Sequence, residues 1–389
     1  MDYNFRSVFW SACLGMLLFG ISLITLGSVA LPLAEKFQLT QVDAGTLFFI
    51  MPFGILSGSL IFGPLCDRYG YKPVLILSCI CMLVGIQGIA WTESIVLLKF
   101  FVFLFGLAGG AINGATNAVV ADISIGNKGA NLSLLGVFFA VGSISVPFIL
   151  GILKNTFTFS GILSSIGLLA AIAAIVYVVV RFPQPKQKNG VSMEKVLSLT
   201  KDRYLFTIAM FLFLVSSLEG VINNWTTTYF DRHLGISQGK ALFSLSAYVI
   251  GMAVMRILLG SIFRHIKTSV VVFVSLGILL AGACMLTLGG NYVTATAGMV
   301  SMGVGLAAGF PVMLGLVGNK YADISATAFS FVLVIALVGN MLVNFFMGII
   351  SEKFGIEHMT SVAVAIIVLM FLLASSILKK HKTISILQS

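Results

Sequence analysis

Residues 63–75 read GPLCDRYGYKPVL. Asp67, Arg68 and Lys72 are the only charged side chains between Asp43 and Glu93, and a long apolar run lies on either side of them. A run of about 20 apolar residues crosses the hydrocarbon core of a bilayer as a helix, which satisfies its own backbone polar groups in lipid. The charged island is therefore a short loop between two membrane helices.

The same alternation continues from end to end. With 59% hydrophobic and 9% charged residues and a mean hydropathy of +1.08 over 389 residues, the chain has too little polar surface for a soluble protein of its size. Twelve apolar spans are expected, at 7–34, 42–66, 73–92, 96–121, 128–154, 160–181, 203–231, 239–263, 268–289, 292–318, 323–350 and 357–378. The first is longer than the core of a signal peptide and no small-residue cleavage pattern follows it, so it belongs to the mature protein.

Lysine and arginine set the orientation. With both termini cytoplasmic, sixteen of the 23 basic residues fall inside and six outside, with Arg256 left within a helix. The net charge of +10 is thus spread over many short loops as a topology signal, and no dense basic tract points to nucleic acid. Short loops and bare termini point to a bacterial cytoplasmic (inner) membrane.

The longest connection is rich in lysine and splits the chain near its middle. An ungapped shift of 197 residues lays Arg6 on Arg203, Gly54 on Gly251, Gly85 on Gly282, Gly106 on Gly303 and Gly142 on Gly339. The expected fold is an all-α integral membrane protein, twelve transmembrane helices in two pseudo-symmetric six-helix bundles. Residues 1–181 and 203–389 form the bundles and 182–202 a cytoplasmic linker. Six helices repeated with the same inside-outside sense are parallel repeats, an arrangement suited to alternating access around a midplane site. Spacings such as Gly54–Gly58 and Gly305–Gly309 read as close helix packing.

The island at 63–75 resembles the signature loop of the major facilitator superfamily, with Gly63, Asp67, Arg68, Gly70 and Lys72 at the matching places. Its shifted copy, GSIFRHIKTSVVV, keeps Gly260, Arg264 and Lys267 but not the acid. An aspartate at a helix end can accept hydrogen bonds from a neighbouring helix N-terminus, and an arginine can pair with an acid at the end of the fourth span, where Asp122 stands. The resemblance implies that these contacts latch the outward-facing state on the cytoplasmic side. It also implies a functional monomer.

Polar residues inside the spans carry the functional reading, because a charge at the bilayer centre costs roughly 2.5 to 3.5 kcal/mol on the insertion scale. Two charges are deep, Glu219 in the seventh span and Arg256 in the eighth. Two asparagine pairs join them, Asn113 with Asn117 and Asn340 with Asn344, each spaced to share one helix face. In SSLEGVINNWTTTYF, residues 216–230, Ser216, Glu219, Asn223 and Thr226 recur at helical spacing, flanked by Asn224 and Trp225. Carboxylate and amide hydrogen-bond hydroxyl groups, and an indole stacks on an apolar C–H face, so the set suits a sugar. Interhelical bonding accounts equally well for any one of the asparagines.

A narrower resemblance follows. Glu219, Trp225 and Tyr229 in that order, INGATNAVV in the fourth span and LSLLGVFFAVGSISVPFILG in the fifth are similar to segments of the fucose/glucose/galactose-type sugar symporters. The chain departs from them at Gly136, in place of a histidine, and at Asn223–Asn224, in place of a glycine pair. The resemblance implies a secondary active sugar transporter, a symporter coupled to a proton or, as the alternative, to sodium. Glu219 is the one acid positioned to bind and release the proton. A drug or metabolite exporter, or an organic anion carrier using Arg256, remains open from the residues alone. The four histidines lie in loops or at helix ends and the five cysteines are scattered, so neither an enzyme, a metal site nor a cofactor is expected.

Overall fold

The computed structural model describes residues 3–124, 128–184, 202–261, 266–321 and 325–388. All regular elements among them are α-helices: α1 (Phe5–Ser28), α2 (Ala30–Phe37), α3 (Gln41–Tyr69), α4 (Tyr71–Trp91), α5 (Ile95–Ile123), α6 (Lys128–Leu153) and α7 (Phe159–Val179), followed by α8 (Arg203–Arg232), α9 (Gln238–Ser261), α10 (Thr268–Leu288), α11 (Tyr292–Leu306), α12 (Gly309–Lys320), α13 (Ser325–Phe354) and α14 (His358–Gln388). Twelve stretches are long and apolar enough to cross a membrane, and the chain is an integral, multi-pass membrane protein. The chain divides into two compact units, Met1–Gly190 and Val191–Ser389. Most of the expected linker 182–202 lies outside the described residues, as does Arg264.

Two of the expected spans are broken. The first ends at Val29 and resumes as α2, and the tenth divides at Ala307 and Ala308 into α11 and α12. Each break lies just ahead of a proline. Pro32 and Pro311 lack the N–H that would bond the carbonyls of Ser28 and Ala307, four residues earlier, and the helix restarts just ahead of each ring. Between α3 and α4, Gly70 turns the chain at φ 84° while its N–H bonds the carbonyl of Cys66 at 2.8 Å. A residue with a Cβ is strained at that φ, so the local geometry itself requires the glycine of the loop motif.

Helix starts follow from side-chain caps. Thr40 and Asp43 form a reciprocal capping box at α3, and Asn4, Thr158, Asp202 and Asn291 cap α1, α7, α8 and α11.

The 197-residue repeat reappears in the packing. A methyl group on Gly106 would collide with the carbonyl of Met51, and one on Gly303 with the carbonyl of Tyr248, which is Met51 shifted by 197. Gly54 abuts the carbonyl of Phe103, and Gly251 that of Val300, at the same shift. Gly85 and Gly282 in turn face Phe105 and Met302. The repeated glycines are thus points of close helix approach, α3 with α5 and α4 with α5 in one unit, α9 with α11 and α10 with α11 in the other. Lipid tails supply no hydrophobic force between helices, so packing at such points holds each unit together.

Candidate functional site

The second unit gathers the polar residues of α8 into two groups. The first faces α13. Asn344 accepts at Oδ1 from Asn224 Nδ2 at 3.1 Å and from Trp225 Nε1 at 3.2 Å, and its own amide donates to the Asn340 carbonyl at 2.8 Å and to Asn340 Oδ1 at 3.2 Å. Asn340 Nδ2 then donates to the carbonyl of Ser216 at 2.9 Å. This network closes over Gly220, where any Cβ would meet both asparagine amides. Glycine is what lets α13 bring two amides so near the α8 backbone. Trp225 is fully buried and its N–H is engaged, so its ring is packed among side chains in this conformation and does not lie open as a stacking surface.

The second group is Glu219 with Asn223 on α8 and the polar side chains of α9, which packs against α8. Asn223 stands one turn further along α8 on the same face as Glu219, buried, with Oδ1 lacking a hydrogen-bond partner among the described residues. Tyr248 and Arg256 stand on α9. Tyr248 is only 1% exposed, and both its hydroxyl and the Nε of Arg256 lack partners among the described residues. Thr226, the last member of the stripe, bonds back to the carbonyl of Ile222 at 2.6 Å and lies against Met299 Sδ at 3.8 Å. The sequence reading missed Tyr248. Its signal was a lone phenol in the middle of an apolar span, and tyrosine counts as apolar when spans are read.

In the first unit, Asn117 donates to the carbonyl and the Oδ1 of Asn113, both at 2.9 Å, and reaches Met16 Sδ of α1 at 3.6 Å. The asparagine pair of α5 is thus bonded to itself and to α1. At the loop motif, Lys72 Nζ donates to the carbonyl of Val178 at 2.6 Å and ties the start of α4 to the end of α7. The Arg68 guanidinium lies 5.1 Å from the ring centre of Tyr69, and Asp67 is half-buried. Asp122 accepts from the hydroxyl of Tyr71 at 2.8 Å, a partner the sequence did not single out. Gly63, inside α3, has no neighbour within 4 Å of where its Cβ would stand, so packing does not explain that glycine.

The second unit has its own cluster at the junction of α8 and α12. Asp202 Oδ1 caps α8 through the N–H groups of Tyr204 and Leu205, at 2.8 and 3.2 Å. Its Oδ2 accepts from the Tyr321 hydroxyl at 2.6 Å and lies 3.6 Å from Lys320 Nζ. Burial pushes the Asp202 carboxyl up, but the hydrogen bonds and Lys320 together outweigh it and hold the group below the ordinary aspartate range. Among the described residues, no group of three or more His, Cys, Asp or Glu side chains is placed to hold a metal ion.

Comparison with known proteins fits this architecture. The chain is 23% identical over 350 residues to the uncharacterized transporter y4wD of Sinorhizobium fredii, covering 87% of this chain and 89% of that one. It is 22% identical over 344 residues to the glucose/mannose transporter GlcP of Bacillus subtilis, covering 85% and 84%. Over a shorter stretch of 165 residues it is 26% identical to the multi-drug resistance efflux pump PmrA of Streptococcus pneumoniae, covering 42% and 41%. Among solved structures, the D-xylose-proton symporter superposes with a TM-score of 0.80 at 15% identity, over 95% of this chain and 97% of that one. The nucleoside transporter NupG, as its D323A mutant, gives 0.80 at 15% identity over 96% and 98%. At such identities the solved structures speak for the fold alone. The family model of the Major Facilitator Superfamily matches residues 12–322, and the chain, a transporter and not an enzyme, belongs to that superfamily.

Proposed function

We propose that the protein carries a hexose-like sugar across the membrane by alternating access, in symport with a proton. The observation that carries this reading is the group that includes Glu219, where Asn223, Tyr248 and Arg256 hold unused hydrogen-bonding capacity inside the protein. Buried polar groups are expensive unless bonded, and a hydroxyl-rich solute supplies both donors and acceptors. Similarity to the glucose/mannose transporter GlcP over most of the chain supports the sugar class.

In this reading Glu219, Asn223 and Arg256 contact the solute, and Glu219 also carries the proton. Asn224, Trp225, Asn340 and Asn344 form the bonded wall behind them, and Asn113 and Asn117 are the candidate contacts of the first unit. Gly63, Asp67, Arg68, Lys72 and Asp122 govern the switch between access states. The remaining features of the reading are a monomer in a bacterial cytoplasmic membrane, both termini cytoplasmic, and units bounded by the 182–202 linker.

The test is accumulation of labelled hexoses in proteoliposomes under an imposed inward proton gradient. Accumulation that Glu219→Gln abolishes is the expected result. Folded protein that takes up no hexose under a proton or a sodium gradient would overturn the reading. Export of a drug-like or other metabolite would then take its place, a second reading favoured by the similarity to PmrA. Arg256 would be the main ligand if organic anions were carried instead.

A further inference from the structure

We propose that the hydroxyl of Tyr248 is a specificity-determining contact, reading a hydroxyl group of the transported solute together with Asn223 Oδ1 and Arg256 Nε. The proposal rests on the sugar reading above and adds a residue and a bonding pattern to it.

Four buried side-chain polar atoms lack a hydrogen-bond partner among the described residues: Tyr204 Oη, Asn223 Oδ1, Tyr248 Oη and Arg256 Nε. Native proteins keep few such atoms, and each calls for an explanation. Tyr204 belongs to the junction of α8 and α12, under Lys320 Nζ at 4.3 Å from its ring centre. Of the other three, Asn223 shares the α8 face of Glu219, and Tyr248 and Arg256 stand on α9, which packs against α8.

Packing alone does not account for the phenol of Tyr248. A phenylalanine fills nearly the same volume without a buried unpaired hydroxyl. The internal repeat makes the same point. Met51 occupies the equivalent position of the first unit, with its carbonyl against Gly106 as that of Tyr248 is against Gly303. Shifting Glu219, Asn223 and Arg256 back by 197 residues gives Ser22, Leu26 and Ser59. The first unit thus has apolar side chains in place of Tyr248 and Asn223 and serines in place of the two charges, so the repeated scaffold does not demand the phenol.

The three atoms also define what would satisfy them. Asn223 Oδ1 only accepts, Arg256 Nε only donates, and the phenol does either. Solute hydroxyl groups donate and accept, so one polyol can bond all three. A lipophilic cation leaves the arginine unpaired, and a carboxylate offers nothing to the asparagine oxygen.

The experiment measures thermal stabilisation and binding of the purified protein with glucose, mannose, galactose and fucose, and with tetraphenylphosphonium and succinate as the other classes. It compares the unmodified protein with Tyr248→Phe and with Tyr177→Phe. Tyr177 is the control, because its buried hydroxyl is already bonded to the Ser11 carbonyl at 3.1 Å. Loss of one neutral hydrogen bond at Tyr248 should weaken sugar affinity about five- to tenfold. The melting temperature without solute should stay level or rise. Tyr177→Phe should lower the melting temperature and leave affinity unchanged.

Equal sugar affinity in Tyr248→Phe and unmodified protein would overturn the Tyr248 proposal and leave the sugar reading standing. So would a solute-free melting temperature that falls as in Tyr177→Phe. An unmodified protein stabilised by the cation or the anion and by no sugar, or by nothing in the panel, would overturn both.

Discussion

Asn340 on α13 donates to the backbone carbonyl of Ser216 on α8 at 2.9 Å, and Ser143, which the 197-residue shift lays under Asn340, donates to the carbonyl of Gly20 on α1 at 3.2 Å. The two units thus make one interhelical bond from corresponding donor positions, to carbonyls one residue out of register, since the shift lays Phe19 on Ser216. The second unit has elaborated it, since Asn340 also holds Asn344, which in turn takes the N–H groups of Asn224 and Trp225.

Asn344→Leu should destabilise the protein by about 1 to 3 kcal/mol, because it removes the acceptor of the buried Asn224 amide and pushes a branched side chain toward Gly220. The melting temperature in detergent checks this. A value equal to that of the unmodified protein would mean that the network contributes nothing to holding α8 on α13.

The repeat predicts paired effects at glycine. Gly106→Ala and Gly303→Ala each bring a methyl group against a backbone carbonyl, of Met51 and of Tyr248, and each should cost about 1 to 3 kcal/mol through overpacking. Gly277→Ala is the counter-test. Nothing lies within 4 Å of that position, so removing a helical glycine should gain about 0.5 to 1 kcal/mol. Melting curves of the three variants would refute the packing role if Gly277→Ala fell as far as the other two.

Much of this fold is legible in the sequence for a physical reason. Bilayer thickness fixes span length, and the packing glycines keep register because only a missing side chain permits the approach. The breaks at Val29 and Ala307 are harder to read, since Pro32 and Pro311 act on carbonyls four residues earlier and hydropathy runs on across them. At the site, helical spacing put Asn340 with Asn344 and Glu219 with Asn223. It did not show that Asn224 and Trp225 turn toward α13, because neighbouring helices decide that. Tyr71, which donates to Asp122, was also not singled out, because a tyrosine beside the basic loop reads as apolar filling.

Asp202 should make stability depend on pH at the acid end. Its folded-state pKa lies below the unfolded value, so its contribution is fully present above about pH 4 and is lost as pH falls through the folded value. Asp202→Asn keeps a capping side chain but removes the charge facing Lys320 at 3.6 Å. Near neutral pH it should cost no more than about 1 kcal/mol, the scale of a partly exposed ion pair. As pH falls from about 4 through the folded-state pKa, the difference from the unmodified protein should close. Melting temperatures of the two proteins from pH 3 to pH 7 test this, and a gap that stays constant would rule out the charge as the cause.

Glu219 on α8 and Arg256 on α9 are ionisable side chains on packed helices within the membrane, both half-buried. Removing one partner of a buried pair leaves an uncompensated charge, whereas replacing both by uncharged groups of similar volume is often neutral. Glu219→Gln and Arg256→Met should therefore each lower the melting temperature. The double variant should recover most of the loss. Recovery of the fold should not bring back solute accumulation, because the proposed proton carrier and solute contact are both gone. Melting curves and proteoliposome uptake on the same preparations separate the two roles. Single variants as stable as the unmodified protein would mean that the two charges do not compensate each other, and accumulation by the double variant would remove Glu219 from coupling.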